Sequence, residues 1–497
     1  MKKNNYKNKA SLIVLLAMVV LILPACNKFL DTFPRGISVA KTASDFRKFM
    51  DDVDNQRYQY SLSQATGYVD IVSDDVYADS TKWLTWTTTR LHVKQLYAFE
   101  SDVWVYEALA DDINWKNQYY IVSLMGTMLT ELKKVTDNPA AKAQMMAEAR
   151  LHRAYAYLNL VNIYAVHYDP ATAATDLGVP MYDDASVMPP LDRKPVQVVY
   201  DYIIKELTES IPDLPDEYGQ YSHRPSKAAA YAILARTYLY MGNYEEALKY
   251  ADKALAINNF LHDYNTLYVD FDHTSKLIGM SRTVDKEVYL HKTTTKGVLL
   301  NNYMILDSTT FNQLYPNYEE TSATTVNNHD LRRTLKFTGI NTSGKITGKT
   351  VTYSKTYNTW YKTDGSNSSA ADNIHLGTPE MYMVRAECNA RLGNLQKALD
   401  DVNLIRMKRF KTGTYTNKTL ADFGSNQQNI LNEVLLERRR ELYGMELRTY
   451  DIKRLKLPVT HTLNSRVLTL QPGDPKLVWP ILPAYIEMNP EIQQNTR

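Results

Sequence analysis

The sequence predicts a mostly α-helical protein built from paired helices, and two observations carry this prediction. Residues 226–257 contain two runs with apolar side chains at helical spacing, and the runs meet at Gly242 and Asn243. The same arrangement returns 151 residues later, in residues 382–405. The shared positions are Ala235, Gly242, Asn243, Ala247 and Leu248 in the first copy and Ala386, Gly393, Asn394, Ala398 and Leu399 in the second. A long insertion separates the copies, so they do not form a tandem solenoid.

Local signals define the first helical hairpin. Ser226 is a good N-cap for the first helix, and Gly242 can end it in the left-handed conformation that other residues resist. Asn243 followed by Glu246 fits a capping box for the second helix. The spacing resembles the tetratricopeptide repeat at Tyr231, Leu234, Ala235, Tyr238, Ala247 and Ala254. Because one hairpin cannot bury its own apolar face, we expect further hairpins.

The first 26 residues read as a leader. Residues 1–10 are basic, residues 11–23 are apolar, and the sequence Leu-Pro-Ala-Cys ends at Cys26. The apolar run is short for a bilayer span, and its order is that of a secretory signal. It resembles a bacterial lipoprotein signal, which implies that Cys26 is acylated and tethers the mature chain to a membrane outside the cytoplasm. An ordinary signal with an incidental cysteine is the alternative.

Composition and charge limit the function classes. Hydrophobic residues make up 44% and charged residues 23% of the 497 positions, as in a soluble globular protein. Without the four lysines of the leader, 53 basic and 55 acidic side chains remain, and this balance does not indicate nucleic-acid binding. Tyrosine is abundant, with 37 residues against 11 phenylalanines. Cys388 lies in a predicted helix as a small buried residue, and Trp104 and Trp115 are predicted to be core residues.

The chain divides into segments of different composition. Residues 261–373 have little helical period and are rich in Thr, Asn, Ser, Asp and Tyr, so we expect a loop-rich functional surface with a few short strands or helices. The predicted divisions are a signal peptide at 1–25, a lipid-anchored tether at 26–42, an N-terminal helical part with loops at 43–260, a loop-rich insertion at 261–374, and C-terminal helices with an extended tail at 375–497. We expect these parts to form one intertwined unit.

Six segments, in order, resemble the SusD/RagB family of outer-membrane lipoproteins across the mature chain. They are Cys26 with residues 29–31 and Pro34, residues 147–150 with Arg153 and Tyr155, residues 178–180, residues 380–406, residues 437–441 with Glu446, Arg448 and Asp451, and residues 480–483 with Asn489, Pro490 and residues 494–495. The family usually has Phe-Glu-Gly near residues 443–446, where this chain has Tyr-Gly-Met-Glu. This departure is small beside the six matching segments.

The resemblance implies a fold, a location and a role. The fold is about four tetratricopeptide-like hairpins forming a right-handed superhelical frame, with a loop-rich, ligand-facing half inserted. The location is the outer membrane, with a lipid anchor and exposure at the cell surface. The role is that of a lid on a TonB-dependent, SusC-like transporter that imports oligosaccharides or, in some relatives, peptides. Such proteins bind their ligands without chemistry.

Composition singles out a small set of candidate ligand contacts. Sugar rings stack on Trp and Tyr, while Asn, Asp and Arg bind the hydroxyls. Trp83 and Trp86 lie in a Thr-rich segment, and Trp360 and Tyr361 lie in the insertion. Tyr77 and Arg90 complete the set of candidates. The alternative for each tryptophan is packing under a loop or against the transporter.

The remaining motifs indicate structural roles or no functional site. Glutamates and arginines share one helix in residues 437–441 (Glu-Arg-Arg-Arg-Glu), with more arginines in residues 448–454, so we expect a structural ion-pair network. Residues 344–350 resemble a phosphate-binding loop, but the glycines are one position too close and no helix follows. The histidines lack zinc-ligand spacing. We expect no cofactor, and a structural calcium ion in an acidic loop such as residues 74–75 stays open.

The sequence therefore favours a lipoprotein that captures glycans for an uptake complex and is not an enzyme. A peptide-binding member of the same system is one alternative. A tetratricopeptide scaffold for protein partners and a tethered glycan hydrolase are the others. Carboxylates are abundant, but the sequence alone does not pair two of them as acid and nucleophile.

Overall fold

The computed structural model describes most of the chain. The described residues are 40–51, 62, 64–78, 91–105, 112–182, 191–218, 223–266, 268–269, 277–278, 286–294, 304–316, 329–338, 350–353, 359–361 and 367–497. The predicted signal peptide, most of the tether and Cys26 lie outside them. Among the described helices, none combines the length and the hydropathy that crossing a bilayer requires.

Helices dominate the fold. They are α1 (Ala43–Asp51), α2 (Leu91–Tyr97), α3 (Ile113–Leu132), α4 (Pro139–Tyr164), α5 (Val196–Ser210), α6 (Lys227–Tyr240), α7 (Tyr244–Ile257), α8 (Ser308–Leu314), α9 (Arg332–Leu335), α10 (Thr378–Arg391), α11 (Leu395–Arg409), α12 (Gln427–Glu441), α13 (Arg448–Leu455) and α14 (Pro483–Met488). Helix α4 packs on both α3 and α5, α6 packs on α7, and α10 packs on α7, α11 and α12. The mostly α-helical prediction, with tetratricopeptide-like hairpins, is confirmed.

The two hairpins predicted from the sequence are α6–α7 and α10–α11. Ser226 Oγ accepts a hydrogen bond from the Ala229 amide at 3.2 Å, and Asn243 Oδ1 accepts one from the Glu246 amide at 3.1 Å. The Glu246 carboxylate binds Lys249 Nζ at 2.8 Å, so its partner is that lysine rather than the helix start. In the second copy Asn394 makes no side-chain cap, and its side-chain Nδ2 donates to Asn389 Oδ1 at 3.3 Å.

One large apolar core connects these helices. The alanines on the facing sides of α6, α7 and α10 are buried, which is the close approach that small side chains allow. Cys388, Trp104 and Trp115 are buried as predicted. The tail is tied to this core because the Trp479 amide donates to the Ile163 carbonyl oxygen at 3.1 Å.

The strands are short. They are β1 (Gln64–Thr66), β2 (Tyr77–Ala78), β3 (Leu177–Pro180), β4 (Arg193–Pro195), β5 (Tyr268–Val269), β6 (Leu277–Ile278), β7 (Val288–Leu290), β8 (Thr293–Thr294), β9 (Met304–Asp307), β10 (Phe337–Thr338), β11 (Thr350–Tyr353), β12 (Thr359–Tyr361), β13 (Asn367–Asn373), β14 (Leu376–Gly377), β15 (Val459–Leu463) and β16 (Arg466–Leu470). They form two four-stranded sheets, in the orders β1-β8-β13-β12 and β10-β11-β9-β2, and several two-stranded pairs.

The described strands of the insertion do not form a separate unit. Strand β1 pairs in parallel with β8, and β2 pairs antiparallel with β9, so the N-terminal part supplies one edge strand to each four-stranded sheet. The two parts therefore share both four-stranded sheets, and the division of the chain into segments stays a prediction. The β15–β16 hairpin lies in the C-terminal part, where the sequence had suggested only helices and an extended tail.

Candidate ligand-binding face

Tyr77 lies in an edge strand that the helical frame holds in place. Strand β2 ends its sheet, with Tyr77 opposite Ile305 of β9. The Ala78 amide donates to Tyr97 Oη at 3.1 Å, and Tyr97 Oη donates to the Thr462 carbonyl oxygen at 3.3 Å. The Tyr77 side chain is half-buried. A half-buried tyrosine at a sheet edge can pack with one part of its ring and present its remaining surface to a ligand.

Arginines of the C-terminal helices fix the segment that leads into Tyr77. Arg448 binds Asp74 through two hydrogen bonds, Nε–Oδ1 at 2.7 Å and Nη2–Oδ2 at 2.9 Å. Arg439 Nε binds Asp75 Oδ1 at 2.8 Å, and Tyr443 Oη donates to the Asp75 carbonyl oxygen at 2.9 Å. Burial would raise the pKa of Asp74, but the Arg448 and Arg439 guanidiniums hold that pKa below its usual value. The arginine-rich motif therefore has a structural role, because it holds the segment that leads into Tyr77.

Trp360 and Tyr361 lie in β12, which ends the other four-stranded sheet. Strand β12 pairs with β13, with Thr359 opposite Asp372 and Tyr361 opposite Asn367. Tyr77, Trp360 and Tyr361 therefore all lie in edge strands, but in two different sheets. We call these three residues, together with Trp83, Trp86 and Arg90, the candidate ligand-binding face. Edge strands leave one side of the backbone unpaired, which makes them accessible positions for recognition.

Trp83, Trp86 and Arg90 lie outside the described residues. Their segment begins after Ala78 of β2 and ends before Leu91 of α2. The hydrogen bond between the Ala78 amide and Tyr97 Oη joins β2 to α2. The prediction that these three residues contact a ligand stays a prediction.

The predicted ion-pair network exists and is larger than the sequence suggested. Arg332 donates to Glu437 Oε1 at 2.6 Å and to Glu441 Oε2 at 2.8 Å, and Arg409 Nε donates to Glu441 Oε1 at 2.9 Å. Burial opposes ionisation of both glutamates, but the neighbouring cations, Arg332 foremost for Glu437 and Arg409 for Glu441, lower each pKa to about 2. Arg409 also binds Glu287 at 2.9 Å, next to strand β7. These arginines are bound to carboxylates, so they do not form a nucleic-acid-binding patch.

The sequence did not predict the ion-pair partners of α12 that come from elsewhere in the chain. Arg332 and Asp330 lie in a segment whose pattern gave no signal, and Arg332 Nη2 binds Asp330 Oδ2 at 2.8 Å. The cluster of Arg, Lys and carboxylates around α12 could have indicated that further partners were required, because buried charges need compensation.

Among the described residues, no group of three or more His, Cys, Asp or Glu side chains is arranged to hold a metal ion. Asp74 and Asp75, offered by the sequence as an acidic loop, are bound to arginines instead. This pairing disfavours calcium there, because the guanidiniums already neutralise the carboxylates that a cation would need.

Comparison with known proteins places the chain in a family. A family model described as "Starch-binding associating with outer membrane" matches residues 28–239, and the SusD family model matches residues 299–497. The SusD-like protein P2 of Formosa agariphila is 26% identical over 398 residues, which cover 69% of this chain and 71% of that protein.

Solved structures share the fold. A SusD superfamily protein of Bacteroides thetaiotaomicron has a TM-score of 0.70 at 18% identity, covering 92% of this chain and 100% of that chain. A putative sugar binding protein of Bacteroides vulgatus has a TM-score of 0.66 at 20% identity, covering 92% of this chain and 99% of that chain. The solved structures show the fold, and the two family models together match most of the sequence, so the chain belongs to the SusD/RagB family.

Proposed function

We propose that this protein is a glycan-binding lipoprotein that captures oligosaccharides or polysaccharide fragments at the outer membrane and delivers them to a TonB-dependent, SusC-like transporter. The observation that carries the proposal is the match of residues 28–239 to a family described as starch-binding and associated with the outer membrane. The lipoprotein-like leader ending at Cys26 supports the anchor. Cell-surface exposure follows from the same role.

The candidate face supports the choice of a polymeric ligand. Tyr77, Trp360 and Tyr361 lie in edge strands, and Trp83, Trp86 and Arg90 follow β2 directly in the sequence. Aromatic rings can stack on the C–H faces of sugars, and polar groups on neighbouring loops can bind the hydroxyls. Aromatic residues distributed over two sheet edges suit a chain of linked rings better than a small molecule that needs enclosure.

We infer that binding occurs without turnover. The ion pairs around Glu437 and Glu441 engage these carboxylates with arginines, so neither is available as a general acid or a nucleophile. Import then draws its energy from the transporter, and this protein contributes capture.

The test is an affinity screen of the soluble chain beginning at residue 27 against polysaccharides, oligosaccharides and peptides, with product analysis of every mixture. Binding of a glycan with no cleavage products supports the proposal. Cleavage of the bound glycan by the purified chain would replace the proposal with the tethered-hydrolase hypothesis. Binding of peptides alone would favour the peptide-uptake variant, and binding of neither would favour a scaffold for protein partners.

A further inference from the structure

A fully buried arginine inside the helical frame has two nitrogens without a hydrogen-bond partner. Arg438 of α12 is 0% exposed, and its Nε donates to Asp451 Oδ2 of α13 at 3.0 Å. Its Nη1 and Nη2 are also buried, and neither has a partner among the described residues. Burial would lower the pKa of Arg438, but Asp451 holds that pKa above its usual value, so the guanidinium is charged. Buried N–H donors are normally paired, because leaving them unpaired costs free energy.

Arg438 ends a hydrogen-bonded chain of arginines and carboxylates. Arg391 Nε donates to Glu387 Oε1 at 2.9 Å, and Arg454 Nη1 and Nη2 donate to Glu387 Oε1 and Oε2 at 2.6 and 2.7 Å. Arg454 Nε then donates to Asp451 Oδ1 at 2.7 Å, while Arg438 binds the other oxygen of Asp451. The chain therefore begins and ends with an arginine. Its three guanidiniums share two carboxylates, so one positive charge is not balanced within it.

A third carboxylate nearby does not supply the missing charge. Glu380 of α10 acts on the pKa of Arg438, but both of its oxygens accept hydrogen bonds from Arg236. Arg236 and Glu380 balance each other as a pair. The guanidinium of Arg438 therefore has a share of one carboxylate, that of Asp451, which also serves Arg454.

Tyr240, at the end of α6, brings a hydroxyl group to the same region. It is 1% exposed, and its Oη has no hydrogen-bond partner among the described residues. Burial raises the pKa of Tyr240, whereas the charges of Arg236 and Arg438 lower it, so both guanidiniums act on this hydroxyl. The Tyr240 ring packs edge-on against Tyr450 of α13, with 5.9 Å between ring centroids. Helices α6, α12 and α13 thus bring hydrogen-bond donors together in the interior.

These groups select a small anion as their partner. The guanidinium nitrogens can only donate, and a tyrosine hydroxyl can donate as well, so the partner must be an acceptor. A water molecule would accept hydrogen bonds but would leave the unbalanced positive charge buried. A monovalent anion meets both needs, since it accepts the hydrogen bonds and balances the charge. Because Arg438 and Tyr240 are buried, the anion must be small, and a halide ion fits this condition.

We propose that Arg438 binds a chloride ion inside the helical frame, with the Tyr240 hydroxyl as a second donor to the ion. The ion balances the charge of the arginine–carboxylate chain and joins α12 to α6. None of these residues belongs to β2 or β12, the edge strands that carry the described part of the candidate ligand-binding face. The proposal is therefore independent of the proposed function.

Bromide replaces chloride in the direct test. Crystals of the soluble chain beginning at residue 27 are grown in sodium bromide, and diffraction is measured at the bromine absorption edge. We expect an anomalous peak within hydrogen-bond distance of Arg438 Nη1 or Nη2. Electron density there without an anomalous peak would identify a water molecule and overturn the proposal. Peaks at exposed side chains alone would mean an adventitious ion only, and would overturn it as well.

Thermal unfolding provides a second readout in solution. Chloride is varied at constant ionic strength, with the bulky anion gluconate as its replacement. We expect the melting temperature to rise by about 1–2 °C for each tenfold increase in chloride above the Kd. Tyr240→Phe removes one donor and should weaken chloride binding about threefold to tenfold, the range of one hydrogen bond. Tyr200→Phe is the matched control, because Tyr200 is also 1% exposed but its hydroxyl donates to Asn162 Oδ1 at 3.2 Å.

A variant of the arginine tests the charge balance. Arg438→Met removes the unpaired donors and the unbalanced charge together, because Arg454 still binds Asp451. Its melting temperature should therefore not respond to chloride. Arg439→Met removes a guanidinium of the same helix whose partner is Asp75, so the response should remain. A parent chain that does not respond to chloride, or a response that persists in Arg438→Met, would overturn the proposal. Should Arg438→Met fail to fold, Tyr240→Phe and the bromide peak decide the question.

Discussion

Arg236 of α6 and Glu380 of α10 form a buried bidentate ion pair, with Nε–Oε1 at 2.7 Å and Nη2–Oε2 at 2.5 Å. The two residues are 4% and 2% exposed. Arg236 Nη1 also donates to Tyr155 Oη of α4 at 3.1 Å. This pair joins the two hairpins that share a sequence pattern, although 144 residues separate its members. The pair therefore connects the helices that precede the long insertion to those that follow it.

Removing one member of this ion pair should lower the free energy of unfolding. Glu380→Ala leaves the Arg236 guanidinium buried without its carboxylate partner, and a buried charge that loses its partner destabilises a protein by about 3–5 kcal/mol. We expect a loss of this size in the free energy of unfolding, measured by urea denaturation at neutral pH and followed by circular dichroism.

Two control variants separate the effect of the stranded charge from that of a lost contact. The double variant Arg236→Met, Glu380→Met leaves no charge behind, so it should lose less stability than Glu380→Ala. Glu131→Ala breaks an exposed pair with Lys134 and should change stability little. If Glu380→Ala were as harmless as Glu131→Ala, the pair would not hold the hairpins together.

The ion pairs around α12 predict a dependence of stability on acid. Glu437 and Glu441 have folded-state pKa values of about 2, against 4.5 for an ordinary glutamate. Their contribution to stability is therefore complete above pH 4.5 and is lost as the pH falls from there toward 2. Urea midpoints should fall more steeply below about pH 4.5, in addition to the loss that begins near pH 6.5 because buried His167 has a pKa lowered to about 3.

Glu437→Gln provides the comparison for this titration. The variant lacks one of the two depressed carboxyl groups, so it should be less stable at neutral pH and lose less stability on acidification than the parent chain. Equal acid slopes in the two proteins would mean that Glu437 has no depressed pKa.

Local patterns explain why the hairpins were predictable. Ser226, Gly242 and Asn243 act within one or two turns of chain, so the sequence alone could assign their roles. The ion-pair network was predictable only in part: the sequence shows acidic and basic residues together on α12, but not their distant partners. The partners Asp74 and Arg332 come from distant segments, and only the tertiary fold brings them next to α12 and α13.

The candidate face was harder to predict for a physical reason. Strands of two to four residues, such as β2 and β9, are too short to show an alternating pattern, and Tyr77 meets Ile305 only because distant segments pair. Aromatic composition drew attention to Trp360 and Tyr361, but it could not show that they lie in an edge strand. The proposed anion site had no sequence signal, since Tyr240, Arg438 and Asp451 come from three separate helices.

Gly393 tests the left-handed turn that ends α10. Its φ is +82°, and a Cβ built there would meet no atom within 4 Å. Gly393→Ala should therefore destabilise the protein by about 1–2 kcal/mol, through backbone strain alone. Gly393→Asn should cost less, because asparagine tolerates this conformation better. Urea denaturation of both variants measures the difference, and equal losses would argue against a conformational cause.

The aromatic residues of the edge strands and the segment after β2 give the decisive test of the proposed function. Trp83→Ala and Trp360→Ala should each weaken binding of the glycan identified by the affinity screen by about 1–3 kcal/mol, the scale of losing a large buried side chain. Phe49→Ala is the matched control, since Phe49 is an exposed aromatic residue of α1, outside both sheets. Isothermal titration calorimetry of the three variants, with melting temperatures recorded for each, distinguishes lost contacts from lost folding. Unchanged affinity in both tryptophan variants would remove these residues from the site, and family membership would stand because it rests on the whole chain.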